Sequence, residues 1–156
     1  RGPEIGEIAE EDGLRWALRS RGHEPDSTVD VYIADTMGEL GVFYRLCQLT
    51  VMGGSFVPHG GQNPLEPARA SAAVISGPHI NNFRDIFRIL VASGGVEVLT
   101  SNDQLTERLR SLLDNVDEIM QRGSAAEKVA NTREPLVRTF QLLKPYLSTL
   151  NGHARA

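Results

Sequence analysis

Short apolar runs alternate with amphipathic segments along the first hundred residues of the chain. The runs that predict strands lie at residues 14–19, 31–34, 48–52, 72–76 and 96–99. The segments whose apolar residues recur at helical spacing lie at residues 4–12, 42–46, 63–70 and 82–92. Strands alternating with helices are typical of a parallel sheet covered on both faces. The pattern therefore predicts an α/β, Rossmann-like fold with about five strands.

The remainder of the sequence is predicted to be helical. A helix capped by Ser101 and Asp103 is expected to break near Asp114, and a further helix covers about residues 124–131. A terminal helix carries an apolar stripe that is interrupted or kinked at Pro145. The stripe consists of Leu136, Val137, Phe140, Leu143, Tyr146, Leu147 and Leu150.

Two glycine pairs follow the third predicted strand. Gly53-Gly54-Ser55 ends the apolar run, and Gly60-Gly61 follows a few residues later. Glycine tolerates unusual backbone angles and lets a ligand approach the main chain closely. The sequence therefore predicts a loop that lines a small ligand site.

A helix start comes directly after the second glycine pair. Asn63 suits the N-cap, Pro64 the first helical position and Glu66 the capping-box position, so a helix is expected to begin at Asn63. Its free N–H groups, chiefly those of Leu65 and Glu66, would point into the glycine-lined space, where a phosphate fits. The same residues also suit a plain capped helix preceded by turns, and this alternative stays open.

Three polar, glycine-containing loops follow predicted strands, at residues 35–41, 53–63 and 77–81. Ligands of open parallel sheets bind at the carboxyl ends of the strands, so these loops are expected to converge on one crevice. The pattern leaves open whether the ligand is a nucleotide, a sugar phosphate or a coenzyme.

The composition narrows the class of protein. A chain of 156 residues fits one domain, and a formal net charge of −4 lacks the basic stripe of a nucleic-acid binder. The single cysteine, Cys47, excludes an internal disulfide and is expected to be a small buried thiol in a reducing compartment. No segment approaches the about 20 apolar residues that span a bilayer. Because the chain starts without Met or a signal peptide, it is expected to be part of something longer.

Two histidines, His59 and His79, lie in the predicted ligand loops. Both can orient a phosphate or a sugar carboxylate, but a structural or solvated histidine is the simpler interpretation. Because His59 has no cysteine, aspartate or second histidine at metal-ligand spacing, no metal is assigned.

Three strings resemble the carboxy-terminal half of bacterial 3-deoxy-D-manno-octulosonic acid (Kdo) transferases. They are Asp30-Val-Tyr-Ile-Ala-Asp-Thr-Met-Gly-Glu-Leu-Gly-Val-Phe-Tyr-Arg45, Gly53-Gly-Ser-Phe-Val-Pro-His-Gly-Gly-Gln-Asn-Pro-Leu-Glu-Pro67 and Ser76-Gly-Pro-His-Ile-Asn-Asn-Phe83. The resemblance also covers residues 14–25 and thins out after about Thr100. It implies that residues 1–156 are the carboxy-terminal, CMP-Kdo-binding domain of a GT-B glycosyltransferase whose amino-terminal acceptor domain is absent from this chain.

The reaction that this resemblance implies is transfer of Kdo from CMP-Kdo to lipid A precursor, with inversion. It belongs to lipopolysaccharide core biosynthesis at the cytoplasmic face of the bacterial inner membrane. The family's catalytic glutamate lies near the start of the amino-terminal domain, so no catalytic residue is assigned in this chain. We expect the chain by itself to be soluble, to bind CMP weakly and to transfer nothing. The donor CMP-Kdo is a substrate, and no cofactor is expected.

The resemblance also implies site residues. The loop that lies against the CMP matches Met37, Gly38 and Glu39, and the helix start that holds its phosphate and ribose matches Asn63, Pro64, Leu65 and Glu66. Possible further donor contacts are Gly54, Ser55, His59, Gly60, Gly61 and Gln62. Glu66 then accepts from both ribose hydroxyls, whereas as a mere cap it does not touch the ligand.

Other functions and partners remain open from the sequence. A stand-alone nucleotide-binding module and another GT-B enzyme that uses UDP-sugars are the alternatives, and preference for UDP over CMP would favour the latter. Lipid A precursor and the membrane are expected to be reached only through the missing half. The terminal helix is expected to expose apolar residues in the isolated chain and to promote a dimer.

Overall fold

The described part of the chain contains five short strands and seven α-helices, and the last three helices follow one another without a strand between them. The computed structural model describes residues 1–132 and 134–153, with residues 134, 135 and 147–153 described by their backbone alone. The strands are β1 (Trp16–Leu18), β2 (Val31–Ile33), β3 (Leu49–Val51), β4 (Ala73–Ser76) and β5 (Val96–Val98). The helices are α1 (Gly2–Glu11), α2 (Leu40–Leu46), α3 (Leu65–Arg69), α4 (Arg84–Ala92), α5 (Asp103–Leu113), α6 (Val116–Ala130) and α7 (Glu134–His153).

The chain divides into two compact units, and the second begins at Cys47. In the first unit β1 and β2 pair in parallel, with Trp16 opposite Val31. Helix α1 buries Gly2, Gly6 and Ala9. A Cβ on Gly6 would lie 2.5 Å from the Trp16 ring, so the ring packs directly on the helix backbone.

Helix α1 is confirmed, and its apolar residues lie in two environments. Of the three at helical spacing, Ala9 is buried, whereas Ile5 and Ile8 are 48% and 60% exposed. Gly2 and Gly6 form the rest of the buried face, because only a residue without Cβ at Gly6 leaves room for the tryptophan. Hydrophobic spacing therefore predicts the helix but not the part that its glycines play.

The second unit is built on a three-stranded parallel sheet in the order β3-β4-β5. Leu49 lies opposite Ala73, and Val74 lies opposite Val96. Every residue of the central strand β4 is buried. A parallel strand covered on both faces needs this continuous apolar sequence, since alternate side chains point to opposite faces.

Two apolar clusters cover these two faces. Val74 packs in the cluster that contains Phe87 of α4, whereas Ile75 packs in the cluster that contains Leu112 of α5. Phe87 and Leu112 are fully buried, which is worth about 1.5–3 kcal/mol for each side chain. The clusters hold the carboxyl ends of β3 and β4, and the loops that follow them, on a rigid base.

Strand pairing differs in one respect from a single five-stranded sheet. Hydrogen bonds between the described strands join β1 to β2 and, separately, β3 to β4 to β5. The number of strands, their parallel direction and their alternation with helices are confirmed.

The later helices follow the prediction in part. The expected break near Asp114 is confirmed, and α6 begins after Asn115, whose side chain accepts from the Glu118 N–H at 3.2 Å. The helix expected at residues 124–131 is the second half of α6. Helix α5 has no side-chain cap, so the expected capping by Ser101 and Asp103 is wrong.

Helix α7 runs through Pro145 as one helix, so the helix is not interrupted there, and a kink at Pro145 stays a prediction. Its described apolar side chains at residues 136, 137, 140, 143 and 146 are 50–71% exposed. Leu147 and Leu150 lie outside the described side chains. Among the helices of the described residues, none is long and apolar enough to cross a membrane.

Cys47 is also exposed, contrary to expectation. It lies in the short connection between the end of α2 and the start of β3, where the apolar run that surrounds it in sequence is not yet part of the sheet. The thiol therefore has no place in either apolar cluster.

Candidate functional site

The loop after β3, here called the glycine loop (residues 53–62), uses a backbone that favours glycine. Gly54, Gly60 and Gly61 have φ values of 69°, 86° and 77°. L residues with a side chain rarely adopt these angles, so the three glycines permit the path of the loop.

Ser55 lies at the base of this loop and is fully buried. Its Oγ donates to the Met52 carbonyl at 2.6 Å and accepts from the Gly77 N–H at 2.8 Å. Its own carbonyl accepts from the His79 N–H at 2.9 Å. Both hydrogen bonds of the Ser55 hydroxyl are thus made inside the protein. Any contact of Ser55 with a donor substrate has to use other atoms of the residue.

The outer end of the glycine loop is tied to the segment after β4, here called the β4–α4 loop (residues 77–82). The Asn82 N–H donates to the Gly60 carbonyl at 3.1 Å, and Asn82 Nδ2 donates to the His59 carbonyl at 3.3 Å. A Cβ on Gly61 would lie 2.8 Å from the His79 carbonyl oxygen. The expected convergence of these two loops is therefore confirmed.

The helix start after the glycine loop lies later than predicted. Helix α3 begins at Leu65, so the N-cap is Pro64 rather than Asn63, and Pro64 is not the first helical residue. Pro64 is fully buried. Asn63 Oδ1 still accepts from the Leu65 N–H at 3.1 Å, so this group is not among the free donors, contrary to expectation.

Glu66 differs from Leu65 in its hydrogen bonds. Its side chain is exposed, and within the described residues no donor reaches its carboxylate and no acceptor reaches its N–H. The capping-box bond back to Asn63 is therefore not formed. Both a free donor and a free carboxylate are available to a ligand at this point.

The remaining residues of the glycine loop are accessible to different extents. His59 and Gln62 are exposed, and His79 on the neighbouring loop is half-buried. In the described residues, no group of three or more His, Cys, Asp or Glu side chains is arranged to hold a metal ion.

In the first unit, the loop between β2 and α2, here called the charged loop (residues 35–39), is held by ion pairs and hydrogen bonds. Met37 is 96% exposed, and Gly38 has a φ of 84° with no atom within 4 Å of the place that a Cβ would take. Asp35 accepts from the Ser20 N–H at 2.9 Å and from its Oγ at 2.7 Å. These two bonds lower the pKa of the Asp35 carboxyl.

Glu39 is the most strongly held carboxylate of this loop. Arg19 Nε and Nη2 donate to its two oxygens at 3.2 Å and 2.7 Å, and Thr36 Oγ1 donates to the same carboxylate. The Arg19 bonds, followed by that of Thr36, lower the pKa of Glu39 from 4.5 to about 2. The carboxylate is therefore ionised at neutral pH, but its charge is already paired with a guanidinium.

Known proteins resemble this chain in sequence and in structure, although no family model matches it. The 3-deoxy-D-manno-octulosonic acid transferase of Haemophilus influenzae is 37% identical over 145 residues, which cover 92% of this chain and 34% of that protein. That of Bordetella pertussis is 43% identical over 83 residues, or 53% of this chain and 19% of that protein. The crystal structure of the C-terminal CMP-Kdo binding domain of WaaA from Acinetobacter baumannii has a TM-score of 0.77 and 31% identity, over 85% of this chain and 69% of that one. The chain belongs to the Kdo transferase family.

Membership of the Kdo transferase family confirms the resemblance that the three strings indicated, and with it the fold of the carboxy-terminal domain of a GT-B glycosyltransferase. The chain spans about a third of the length of the Haemophilus influenzae relative, which it covers to 34%. The nucleotide contacts of individual residues stay predictions.

Two residues that matter for this Kdo transferase domain escaped the sequence prediction. Arg19 lies in residues 14–25, which the resemblance covers, but it had no assigned role, and Ser55 was given only as a possible contact of the donor substrate. Their partners Glu39 and Gly77 lie 20 and 22 positions away in sequence. Nothing in a local pattern of residues signals such pairs.

Proposed function

We propose that this chain is the donor-binding domain of an inverting glycosyltransferase that moves Kdo from CMP-Kdo to lipid A precursor. The observation that carries the proposal is the likeness to the CMP-Kdo binding domain of the Acinetobacter baumannii protein, in fold and in sequence. The full protein then acts in lipopolysaccharide core biosynthesis at the cytoplasmic face of the inner membrane.

The start of α3 is the proposed contact for phosphate and ribose. The free Glu66 N–H donates to the phosphate, and the Glu66 carboxylate accepts from the ribose hydroxyls in charge-assisted hydrogen bonds. Helix α3 has only five residues, so its dipole adds little, and backbone donors of the glycine loop supply the rest. Leu65 contributes only if Asn63 releases its N–H.

Further donor contacts are proposed for the accessible part of the glycine loop. Gln62 and His59 expose polar side chains, and the half-buried Gly54 offers backbone without a side chain in the way. Gly60 and Gly61 are buried against the β4–α4 loop and reach a ligand only if that loop moves aside. One phosphate, rather than a pyrophosphate, is a charge that such donors can manage without a divalent ion.

The charged loop is proposed, independently, to lie against the CMP. Its support is the resemblance of residues 37–39 and the 96% exposure of Met37, which leaves a large apolar side chain available to a ligand. Because Arg19 already pairs with Glu39, the proposed contact uses the backbone of the loop and the Met37 side chain.

A titration with CMP tests the proposal. We expect weak binding by calorimetry, with the amide resonances of Gly38, Glu39 and Glu66 shifting together as CMP is added. UDP is the control: tighter binding of UDP would favour a UDP-sugar enzyme of GT-B type. Tight CMP binding together with a chain that is complete in the cell would favour a stand-alone nucleotide module.

Transfer activity is proposed for the full-length protein alone. Asp35 and Glu39 are already hydrogen-bonded within the charged loop, and Glu66 is assigned to the ribose, so none of the three is proposed as the base for the acceptor hydroxyl. We expect no Kdo transfer by this chain with CMP-Kdo and lipid A precursor, and turnover would contradict the assignment. Acceptor and membrane contacts are proposed to need the amino-terminal half.

Self-association through α7 is a further proposal. Its apolar side chains at residues 136, 137, 140, 143 and 146 are at least half exposed, which favours burial against a second copy of the isolated chain. Light scattering that gives a monomer at high concentration would exclude it.

A further inference from the structure

The base of the glycine loop contains a polar residue that no ligand can reach. Ser55 is fully buried, and its hydroxyl donates one hydrogen bond and accepts another, to Met52 and from Gly77. A buried hydroxyl with both bonds made is costly to remove, because its partners stay behind without water to replace it.

Ser55 connects segments that are far apart in sequence. Met52 follows β3, whereas Gly77 and His79 follow β4, and the Ser55 side chain and carbonyl bind all three. Gly77 fits the same contact, because a Cβ there would collide with the Ser55 carbonyl and lie 2.8 Å from the Phe56 ring. The two loops are therefore shaped around this one residue.

The rest of the glycine loop has a weaker tie at its outer end. Asn82 holds the carbonyls of His59 and Gly60, but it is exposed, so water competes for these bonds. Gly60, whose carbonyl is part of the outer tie, and Gly61, directly after it, have the largest conformational freedom when released. Loss of the buried tie would thus free the segment that precedes Asn63 and Glu66.

We propose that Ser55 is a positioning residue for the donor nucleotide, an inference that rests on the proposed function. Its hydroxyl joins the glycine loop to the β4–α4 loop before any ligand is bound. The backbone donors are then ordered in advance, and binding does not have to supply the entropy of ordering them.

Ser55→Ala tests the proposal, with Ser93→Ala as a matched control. Ser93 Oγ makes the same pair of bonds, donating to the Leu90 carbonyl at 2.7 Å and accepting from the Gly95 N–H at 3.3 Å, at the end of α4. Both variants lose a hydroxyl with two partners, but only one of them loses the link between the loops.

The first readout is amide hydrogen exchange without ligand. The His79 N–H donates to Ser55 and the Asn82 N–H donates to Gly60, so their exchange reports the link directly. We expect about tenfold faster exchange of both amides in Ser55→Ala and parental rates in Ser93→Ala. Parental rates in Ser55→Ala would overturn the proposal.

The second readout is CMP affinity by calorimetry at a temperature where each variant is folded. We expect about a tenfold weaker affinity for Ser55→Ala and parental affinity for Ser93→Ala. Loosened loops with parental affinity would overturn the positioning role. A parental chain that binds no CMP would overturn the proposed function, while the exchange rates would still report whether Ser55 joins the loops.

If Ser55→Ala fails to fold, Asn82→Ala is used in its place. It removes the Nδ2 bond to His59 at an exposed position, so the fold is expected to survive. We expect about threefold faster exchange of the backbone amide at position 82 and about threefold weaker CMP binding. If the exchange rate and the CMP affinity both stay at their parental values, the proposal that joined loops position the nucleotide is overturned.

Discussion

The glycine loop and the charged loop are held in opposite ways. The glycine loop depends on neutral hydrogen bonds around a fully buried serine, whereas the charged loop depends on the pairing of Arg19 with Glu39, whose side chains are 39% and 34% exposed. Buried neutral bonds do not respond to pH or salt but tolerate no change of shape, and exposed ion pairs behave in the reverse way. The comparison predicts which perturbation disturbs each loop.

An added side chain in each loop is expected to produce the largest difference between the loops, measured as the loss of unfolding free energy. In Gly61→Ala the new methyl would meet the His79 carbonyl at 2.8 Å in a left-handed backbone, and we expect a loss of about 3 kcal/mol of unfolding free energy. Gly38→Ala shares the left-handed backbone but meets no atom, so a loss of about 1 kcal/mol is expected. Urea unfolding measures both, and equal losses would remove the distinction between the loops.

Substitution of Glu66 and substitution of Glu39 should weaken CMP binding to different extents. Glu66 has no partner among the described residues, so Glu66→Gln is expected to weaken CMP binding by about tenfold. Glu39 is already paired with Arg19, so Glu39→Gln is expected to weaken it by about threefold through loosening of the loop. Calorimetry on both variants, with the exposed Asp103→Asn as control, decides this. A larger effect at Glu39 would reverse the assignment.

Acid should release the charged loop and leave the glycine loop in place. The pKa of Glu39 is lowered from 4.5 to about 2, so its contact with Arg19 is fully present above the ordinary value and is lost as the pH falls toward 2. The Thr36 and Glu39 resonances are expected to titrate together near the lower value, and the His79 amide is expected not to follow. A midpoint near 4.5 for Glu39 would mean that the pair does not form in solution. Glu39→Gln should abolish the transition.

High salt should have the smallest effect. Like acid, it should loosen the charged loop and leave the glycine loop unchanged. At 1 M NaCl the screening length is about 3 Å, so the exposed Arg19–Glu39 pair weakens, and we expect about twofold faster amide exchange in the charged loop. The amides of His79 and Asn82 in the second unit are expected to keep their rates. Arg19→Gln at low salt should reproduce the effect of high salt. Faster exchange in both loops would show that charge supports both.

Much of the fold was predictable because it depends on local patterns. The apolar run at residues 72–76 predicted the strand that is buried as β4, and the helical spacing of apolar residues at 82–92 predicted α4. The resemblance of the strings around Gly53 and Asp30 predicted the family. Patterns of this kind are visible in sequence, because strands and amphipathic helices repeat every two or about 3.6 residues.

The errors share a physical cause. The apolar spacing of residues 4–12 predicted α1, but two of its three buried residues are glycines, of which Gly6 packs on Trp16, and a glycine carries no hydrophobic signal. The Leu65 N–H was expected to be free, but the Asn63 side chain takes it. In each case a short-range pattern suggested the right element, and competition among neighbouring groups decided its contacts.

The sequence by itself determined the alternation of strands and helices, the glycine backbone of the ligand loop, and the family. Each of these depends on residues close together in the chain. Only the tertiary structure decided that Ser55 is a buried link and that Arg19 neutralises Glu39, and it decided that Glu66 stays without a partner among the described residues. The reason is that hydrogen bonds are satisfied across 20 or more positions, where spacing in sequence holds no information about distance in space.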